Sequence, residues 1–171
     1  MASLVYVVDT TALLAKWVLH VPARIYTTPD VVAEARDAES RAATETALEL
    51  GRLEAITPPE WAVREALEAA RRIGLHTSLS ETDLSVAALA LYFTRQGHRV
   101  VIVTDDYALQ NLAASLGLSF MPLRTRGIRE RRLYIVRCPA CGYISNDPGI
   151  RTCPVCGTPL RRYRRRRRAT K

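Results

Sequence analysis

Hydrophobic residues occur along this 171-residue chain in runs of two kinds, and the first kind is extended. Residues 4–8 and 100–103 are unbroken β-favouring apolar runs, which are typical of parallel strands covered on both faces. Shorter extended pieces are expected at 53–57 and 118–123. These four segments predict a sheet whose central strands are deeply buried.

Between those runs, the apolar spacing becomes helical. Ser80 followed by Asp83 predicts a capping box, and apolar residues cover most of the surface of the helix that follows. Further helices are expected from Thr28 past Ala38, then up to about Gly51, over 60–73 and over 105–116. Strands that alternate with helices predict an α/β class, a three-layer α/β/α domain with a mostly parallel sheet over residues 1–123.

The helical periodicity ends at Arg124. We expect a basic linker at 124–132 and a strand at 133–137 that opens a small cysteine-bearing domain at 133–160. The tail at 161–171, with the sequence RRYRRRRRATK, has too few apolar residues to form a core. It is therefore predicted to be disordered when unbound.

Charge divides the chain at the same point. Residues 1–123 carry 10 basic and 15 acidic side chains, whereas residues 124–171 carry 15 and 2. Such a basic surface most often binds a phosphate backbone, and arginine grips phosphate with two parallel hydrogen bonds. An anionic membrane is the competing partner, but no amphipathic helix accompanies the basic run. The residues predicted to bind RNA are Arg161, Arg162, Arg164, Arg165, Arg166, Arg167 and Arg168.

No apolar run approaches the roughly 20 residues that a membrane-spanning helix needs. The first residues also lack the basic segment and small-residue cleavage site of an export signal. We therefore expect a cytoplasmic protein with no membrane partner.

The four cysteines form two similar pieces, Cys138-Pro-Ala-Cys141-Gly and Cys153-Pro-Val-Cys156-Gly, with 11 residues between them. A two-residue gap lets one turn aim two thiolates at one ion, and two turns complete a tetrahedral shell. Structural zinc is the leading interpretation, with iron in the same cage as an alternative. Two disulfides or a redox pair fit poorly with an intracellular chain. Four thiolates leave no open position for water, so the ion is expected to fold a zinc ribbon.

Acidic residues form four stations, of which three follow a predicted strand or begin a predicted helix, while Glu34 lies on the helix that opens at Asp30. They are Asp9, Glu34, Asp83, Asp105 and Asp106. Parallel strands place their carboxyl ends on one edge of a sheet, where converging carboxylates need a cation such as Mg²⁺ or Mn²⁺. Such an ion activates water for attack on phosphorus. Taken singly, Asp83 and Asp105 are equally plausible as helix caps, and Glu34 as a solvated residue.

These residues resemble a known family. V-V-D-T-T-A at 7–12, Glu34, E-T-D-L-S-V-A-A-L-A at 81–90 and V-T-D-D-Y-A at 103–108 are similar to the four acidic stations of PIN-domain ribonucleases. D-D-Y-A-L-Q-N at 105–111, the two knuckles and the basic tail resemble the Nob-type endonucleases, in their compact archaeal form.

The resemblance implies an enzyme that trims the 3′ end of precursor small-subunit ribosomal RNA and works on the small ribosomal subunit. It implies Mn²⁺ or Mg²⁺ in the site and products with 5′-phosphate and 3′-hydroxyl ends. The family motif has one essential acid in its T-x-D segment, which points to Asp106, with Asp105 as the adjacent alternative. A toxin-type or RNA-decay nuclease and a non-catalytic ribosomal RNA-binding assembly factor are the alternative functions.

Overall fold

Five strands form the main sheet of the computed structural model, which describes residues 3–128, 134–145, 147 and 149–164. In chain order they are β1 (Leu4–Val8), β2 (Arg24–Thr27), β3 (Leu53–Ala55), β4 (Arg99–Val103) and β5 (Ser119–Met121). Their order across the sheet is β3-β2-β1-β4-β5, and all four neighbouring pairs are parallel. The predicted parallel sheet is confirmed, with the apolar strand β1 at its centre.

Helices cover both faces of this sheet. They are α1 (Thr10–Leu14), α2 (Pro29–Glu34), α3 (Ala38–Glu49), α4 (Glu60–Ile73), α5 (Glu81–Arg95) and α6 (Tyr107–Leu116). Val7 and Val8 in β1 are both 0% exposed. Because consecutive strand residues point to opposite faces, neither face of the sheet is open to solvent.

The deeply buried helix that the sequence predicts after Ser80 is α5. Its capping box is present, since the Ser80 hydroxyl accepts from the Asp83 N–H while the Asp83 carboxylate accepts from the Ser80 N–H. The positions from Val86 to Ala90 are all fully buried. Helix α5 packs on β1 and β4 and against α4, so it anchors Asp83 firmly beside the sheet.

The chain after Thr28 departs from the sequence prediction. The helix expected to run past Ala38 ends at Glu34, and a new helix, α3, begins at Ala38. Asp37 causes the restart, because its carboxylate accepts from the Ser40 N–H at 2.8 Å and caps the new helix. Glu34 is consequently the last residue of a short helix.

Strand β2 was not predicted, because R-I-Y-T has an exposed arginine at one end and a polar residue at the other. The structure pairs it with β1. Thr27 is fully buried there, and its hydroxyl donates to the Val8 carbonyl at 2.9 Å. Tertiary pairing therefore satisfies a polar side chain that the sequence pattern assigns to solvent.

A second, antiparallel sheet follows residue 128. It contains β6 (Tyr134–Arg137), β7 (Ile144–Ser145) and β8 (Arg161–Arg164), in the order β7-β6-β8. The prediction of a disordered tail from residue 161 is wrong for its first four residues, which form β8. Backbone pairing with β6 holds this strand, and the Arg162 guanidinium lies 4.0 Å from the Tyr134 ring centre. The rest of the tail, 165–171, and the last four residues of the predicted linker, 129–132, lie outside the described residues.

We call residues 134–164 the cysteine unit. It contacts the loop between α4 and α5, where the Arg162 guanidinium donates to the Ser78 hydroxyl at 2.7 Å. Gly149 approaches the same loop, since a Cβ added there would lie 3.2 Å from His76 Nε2. No helix in the described ranges is both long and apolar enough to span a bilayer.

Candidate active site and metal centre

The two cysteine turns have the same backbone geometry. In the first, the Cys138 N–H donates to the Tyr143 carbonyl at 2.8 Å and the Gly142 N–H donates back to Cys138 at 3.1 Å. In the second, Cys153 pairs with Thr158 at 2.9 Å and Gly157 donates to Cys153 at the same distance. The glycines have φ of 77° and 71°, which a side chain would disfavour. A glycine is therefore required after the second cysteine of each turn.

The four sulfur atoms converge on one point. The Cys138 and Cys156 Sγ atoms are 3.4 Å apart, those of Cys141 and Cys153 are 3.5 Å apart, and all four lie within 4.8 Å of one another. A tetrahedral shell with zinc–sulfur bonds of about 2.3 Å needs sulfur atoms about 3.8 Å apart. The four thiols are unpaired by disulfides. This donor set therefore fits a single tetrahedral metal ion.

The thiols differ in acidity although they share one site. The Thr158 hydroxyl, at 3.3 Å from the sulfur, and the Thr158 N–H lower the pKa of Cys156 to about 6. The Tyr143 N–H acts in the same direction on Cys141, but burial and the neighbouring thiols outweigh it and raise the pKa of Cys141 to about 12. Crowded thiols of this kind lose their protons together when a cation binds among them.

Four carboxylates lie at the carboxyl-terminal edge of the main sheet, close enough for the charges of Asp9, Glu34 and Asp106 to interact with that of Asp83. We call this set, Asp9, Glu34, Asp83 and Asp106, the acidic edge. Asp9 follows β1, Glu34 ends α2, Asp83 lies in the first turn of α5, and Asp106 caps α6 after β4. The sequence prediction that strand ends and helix starts gather these residues agrees with this placement.

Asp9 is the most enclosed of the four, with 6% of its surface exposed. Its Oδ2 accepts from the Thr104 hydroxyl at 2.5 Å and from the Thr11 hydroxyl at 3.3 Å. Burial raises the pKa of Asp9, and the negative charge of Asp83 raises it further, although the Thr104 hydrogen bond opposes both. The fold therefore holds Asp9 where its ionised form lacks a compensating positive charge.

Asp83 interacts through its charge with the other two carboxylates, those of Glu34 and Asp106. Burial raises its pKa despite hydrogen bonds from the Ser80 N–H and hydroxyl, and the charges of Asp106 and Glu34 raise it further. Glu34 is held in turn by the Thr10 hydroxyl, which donates to its Oε2 at 2.6 Å. The acidic edge is thus one coupled set of negative charges.

Asp105 and Asp106, which the sequence left as alternatives, have different partners. Asp105 Oδ1 accepts from the N–H groups of Leu123, Arg124 and Thr125 at 2.9–3.0 Å. Burial acts against its ionisation, but these backbone groups prevail and lower the pKa of Asp105. Asp105 fastens the chain after β5. The helix cap considered for Asp105 belongs instead to Asp106, whose Oδ1 accepts from the Ala108 and Leu109 N–H groups at 2.6 and 2.8 Å and whose charge acts on Asp83.

Hard oxygen ligands whose charges repel one another fit a divalent cation such as Mg²⁺ or Mn²⁺. Among the described residues, only the cysteines draw three or more ligand atoms within 4.8 Å of one another. The carboxylate oxygens are farther apart than the sulfur atoms. Their like charges repel one another, and the acids come from separate segments rather than from one turn. The acidic edge therefore fits such a cation by the type of its donors, whereas the cysteine site fits its ion by both donor type and spacing.

Sequence reasoning missed the hydroxyl groups that position the acids. The Thr104 hydroxyl donates to Asp9 and accepts from the Asp106 N–H at 3.0 Å, so it links the Asp9 carboxylate to the backbone of Asp106. Gln110, also fully buried, donates to the Thr104 carbonyl at 2.9 Å. The available signal was a threonine directly beside an acid in both V-V-D-T-T-A and V-T-D-D-Y-A.

Three of the predicted RNA-binding arginines are described. Arg161, Arg162 and Arg164 belong to β8, whose four residues are all exposed. Arg162 contacts Ser78 and Tyr134. Arg165, Arg166, Arg167 and Arg168 lie outside the described residues.

Comparison with known proteins relates this geometry to a family of nucleases. A family model described as a PIN domain of ribonuclease matches residues 6–93. Ribonuclease VapC3 of Aeropyrum pernix is 47% identical over 121 residues, covering 71% of this chain and 87% of its own length.

Two further archaeal proteins match a larger share of the chain. Endoribonuclease Nob1 of Archaeoglobus fulgidus is 37% identical over 154 residues, covering 90% of this chain and 87% of its own length. Endoribonuclease Nob1 of Pyrococcus abyssi is 38% identical over 146 residues, covering 84% and 86%.

Proposed function

Because this chain belongs to the PIN-domain ribonucleases and resembles their archaeal Nob1 endoribonucleases, we propose that it matures the 3′ end of precursor small-subunit ribosomal RNA. Its partner in this role is the small ribosomal subunit, and its compartment is the cytoplasm. Relatives named Endoribonuclease Nob1 support the assignment, as does an arginine-rich cysteine unit seated beside the acidic edge.

The observation that carries the proposal is the coupled charge of the acidic edge. Asp9, Asp83 and Asp106 are the proposed ligands of Mn²⁺ or Mg²⁺, with Glu34 as the fourth acid that orients water. Bound there, the cation supplies the Lewis acidity and positive charge that hydrolysis of a phosphodiester requires. Thr104 and Thr11 keep Asp9 fixed, and Thr10 keeps Glu34 turned toward the same edge.

Asp105 is proposed as a structural acid. Its three backbone partners lie on the segment that leads from β5 toward the cysteine unit, so it shapes the border of the site. Asp106 is the proposed ligand of the pair, because its charge acts on Asp83 whereas the Asp105 carboxylate is occupied by backbone N–H groups.

Zinc in the Cys138, Cys141, Cys153 and Cys156 site is proposed to be structural. Four sulfur ligands complete a tetrahedral shell and leave no position for water or RNA. The ion then compensates for the small core of the cysteine unit, in which Val136 is one of few buried apolar side chains. The exposed arginines of β8, with those at 165–168, are proposed to bind RNA phosphates.

A toxin-type ribonuclease is the second candidate, and the 47% identity to Ribonuclease VapC3 favours it. A non-catalytic RNA-binding factor is the third. It is disfavoured because a binding module has no use for four coupled carboxylates beside the phosphates it must attract.

Cleavage mapping separates these functions. The full chain is incubated with Mn²⁺ and a precursor fragment that spans the 3′ end of the small-subunit RNA, and the product ends are sequenced. A single cut at the mature end, absent without the ion, supports maturation. Cuts in mature RNA with the precursor junction intact would establish the toxin-type reading, and intact RNA that is nevertheless bound would establish the binding factor. Variants that replace an acid of the acidic edge by its amide, such as Asp9→Asn, should lose this cleavage. Asp30→Asn, which removes one exposed negative charge from α2, is their charge-matched control.

A further inference from the structure

A cleft of about 410 Å³ lies between α6 and the cysteine unit. Its walls come from both parts of the chain: Leu75 and Ser78 from the loop before α5, Tyr107 and Asn111 from α6, and Tyr134 and Arg162 from β6 and β8. We call it the seam cleft. Apart from Arg162, which belongs to the arginines proposed to bind RNA, its lining residues have no role assigned above.

The seam cleft adjoins the acidic edge through the chain itself. Tyr107 directly follows Asp106, and Ser78 lies two residues before Ser80, whose hydroxyl and N–H bond to Asp83. Two of the four acids are therefore held by the same short segments that form two walls of the cleft. An RNA strand with one phosphate at the acidic edge must continue either past the seam cleft or along the opposite side of the site.

The chemistry of the walls suits a nucleobase. Tyr107 is 50% exposed, although it is a large aromatic residue at the first position of a helix. Opposite walls provide a second ring, Tyr134, with the Arg162 guanidinium 4.0 Å from its centre. Aromatic rings and guanidinium planes are the groups on which unpaired bases stack in single-stranded RNA.

Charge selects the same occupant. The acidic edge repels phosphate unless a cation is bound, whereas Arg162 brings positive charge to the cleft, from an exposed strand that also carries Arg161 and Arg164. A nucleotide has an apolar, stackable base and an anionic phosphate, so it matches a cleft that is aromatic inside and basic at the rim. The volume also falls in the range of small-ligand sites, roughly 300–1,000 Å³.

We propose that the seam cleft receives one unstacked nucleotide of single-stranded RNA beside the phosphate that is cut, with Tyr107 as the stacking residue. This inference rests on the proposed function for the identity of the substrate. It adds a specific base-binding position, formed only when the cysteine unit is seated on the nuclease domain. Arg162 acts as a positioning residue, because it joins the Tyr134 wall to Ser78.

The test measures binding of a short single-stranded oligoribonucleotide and of a series in which each nucleotide in turn lacks its base. Fluorescence anisotropy is recorded for the full chain with Ca²⁺ in place of Mn²⁺, so that a cation neutralises the acidic edge, and a gel confirms that the RNA is intact at the end of each titration. For the wild type, one abasic position should lower affinity about tenfold. Tyr107→Ala should lower affinity for intact RNA to a similar extent. In this variant, removing the base at the sensitive position should cause no further loss of affinity, because the stacking contact is already absent.

Two variants serve as controls. Tyr107→Phe keeps the ring and should restore both the affinity and the abasic dependence. Tyr163 is similarly exposed, at 43%, but does not line the cleft. Tyr163→Ala should therefore retain the full sensitivity to the abasic position, whatever its overall affinity.

The inference would be overturned if the affinity losses from Tyr107→Ala and from base removal were additive at every position. It would also be overturned if Tyr163→Ala abolished the sensitivity to base removal as Tyr107→Ala does. Failure of the proposed function is a separate result. If coupling at Tyr107 is present but the wild type cuts no precursor with Mn²⁺, the cleft stands and the maturation role is wrong. If the precursor is cut correctly without any coupling, the maturation role stands and the cleft assignment is wrong.

Discussion

The four cysteines come from two turns separated by 11 residues, whereas the acidic edge draws its residues from positions 9, 34, 83 and 106. In the cysteine unit, each turn aims its own sulfur atoms, and local backbone hydrogen bonds hold the geometry. The acidic edge depends on the whole sheet, and threonine hydroxyls from other segments hold the carboxylates in place. One site is assembled by its ion and its turns, and the other is assembled by the fold before any ion binds.

The largest difference between the cysteine site and the acidic edge should appear when one sulfur ligand is removed. Cys153→Ser removes a ligand from a site whose metal stabilises small domains by about 10–16 kcal/mol, so the cysteine unit should unfold and release its zinc. The nuclease domain should remain folded, because its core is separate. Elemental analysis and circular dichroism measure the two effects.

Val155→Ser is the matched control for this change. It introduces the same side chain into the same turn, at a position that is 69% exposed, and leaves all four sulfurs in place. Zinc should remain stoichiometric in that variant. A wild-type protein without stoichiometric zinc or iron would contradict the metal assignment.

A smaller effect is expected when a hydroxyl is removed from the acidic edge. Thr104→Val keeps the shape but deletes the group that joins Asp9 to the Asp106 backbone, and it should cost about 1–3 kcal/mol of unfolding free energy. It should also weaken Mn²⁺ binding in calorimetric titrations. Thr44→Val deletes an equally buried hydroxyl in α3 and should reduce stability without changing Mn²⁺ affinity. Equal Mn²⁺ affinity in both variants would show that Thr104 does not organise the site.

The acidic edge should also give a characteristic pH dependence. The raised pKa values of Asp9 and Asp83 mean that the folded state binds their protons more tightly than the unfolded chain does. Without a divalent ion at the edge, their contribution to stability should therefore increase as pH falls from neutral through these raised values. Asp105 acts oppositely, because its lowered pKa gives stability above its ordinary value near 3.8 that is lost as pH falls further.

Thermal unfolding, followed by the fluorescence of Trp17 and Trp61, reports this effect in the nuclease domain alone. Compared with the wild type, the double variant Asp9→Asn with Asp83→Asn should lack the rise in stability that accompanies the fall of pH from neutral toward the ordinary carboxyl value near 3.8. The same pH curve for both proteins would mean that the carboxylates carry no unfavourable charge.

The smallest effect concerns the tail beyond β8. Truncation after Arg164 keeps β8 and its pairing with β6 but removes the arginines at 165–168. The slope of log affinity against log salt should fall by about 0.7 for each lost phosphate contact with single-stranded RNA. A slope equal to that of the full chain would assign the tail another role.

The sequence was most informative where local chemistry decides the structure. Apolar runs predicted β1 and β4, Ser80 and Asp83 predicted the start of α5, and the spacing of the cysteines predicted a site for one ion. Each of these depends on neighbouring residues or on burial by the bulk of the domain.

The sequence was least informative where distant segments supply the partners. β8 consists of arginines and one tyrosine, a composition typical of a solvated tail, and only pairing with β6 makes it a strand. Asp105 and Asp106 are equivalent as neighbours in sequence, yet they differ because three N–H groups near residue 124 bind Asp105. Neither partner can be read from local periodicity.

The acidic edge is the centre of this account, and Asp9→Asn tests it most directly. The substitution keeps the shape of the buried side chain and removes one charge, so the metal should be held poorly and cleavage of the precursor RNA at saturating Mn²⁺ should be nearly abolished. RNA affinity should hold or increase, because the arginines are unchanged and a repulsive charge is gone. Cleavage by Asp9→Asn at the wild-type rate, with contaminating nuclease excluded, would contradict a metal-dependent reaction at this edge and leave RNA binding as the protein's function.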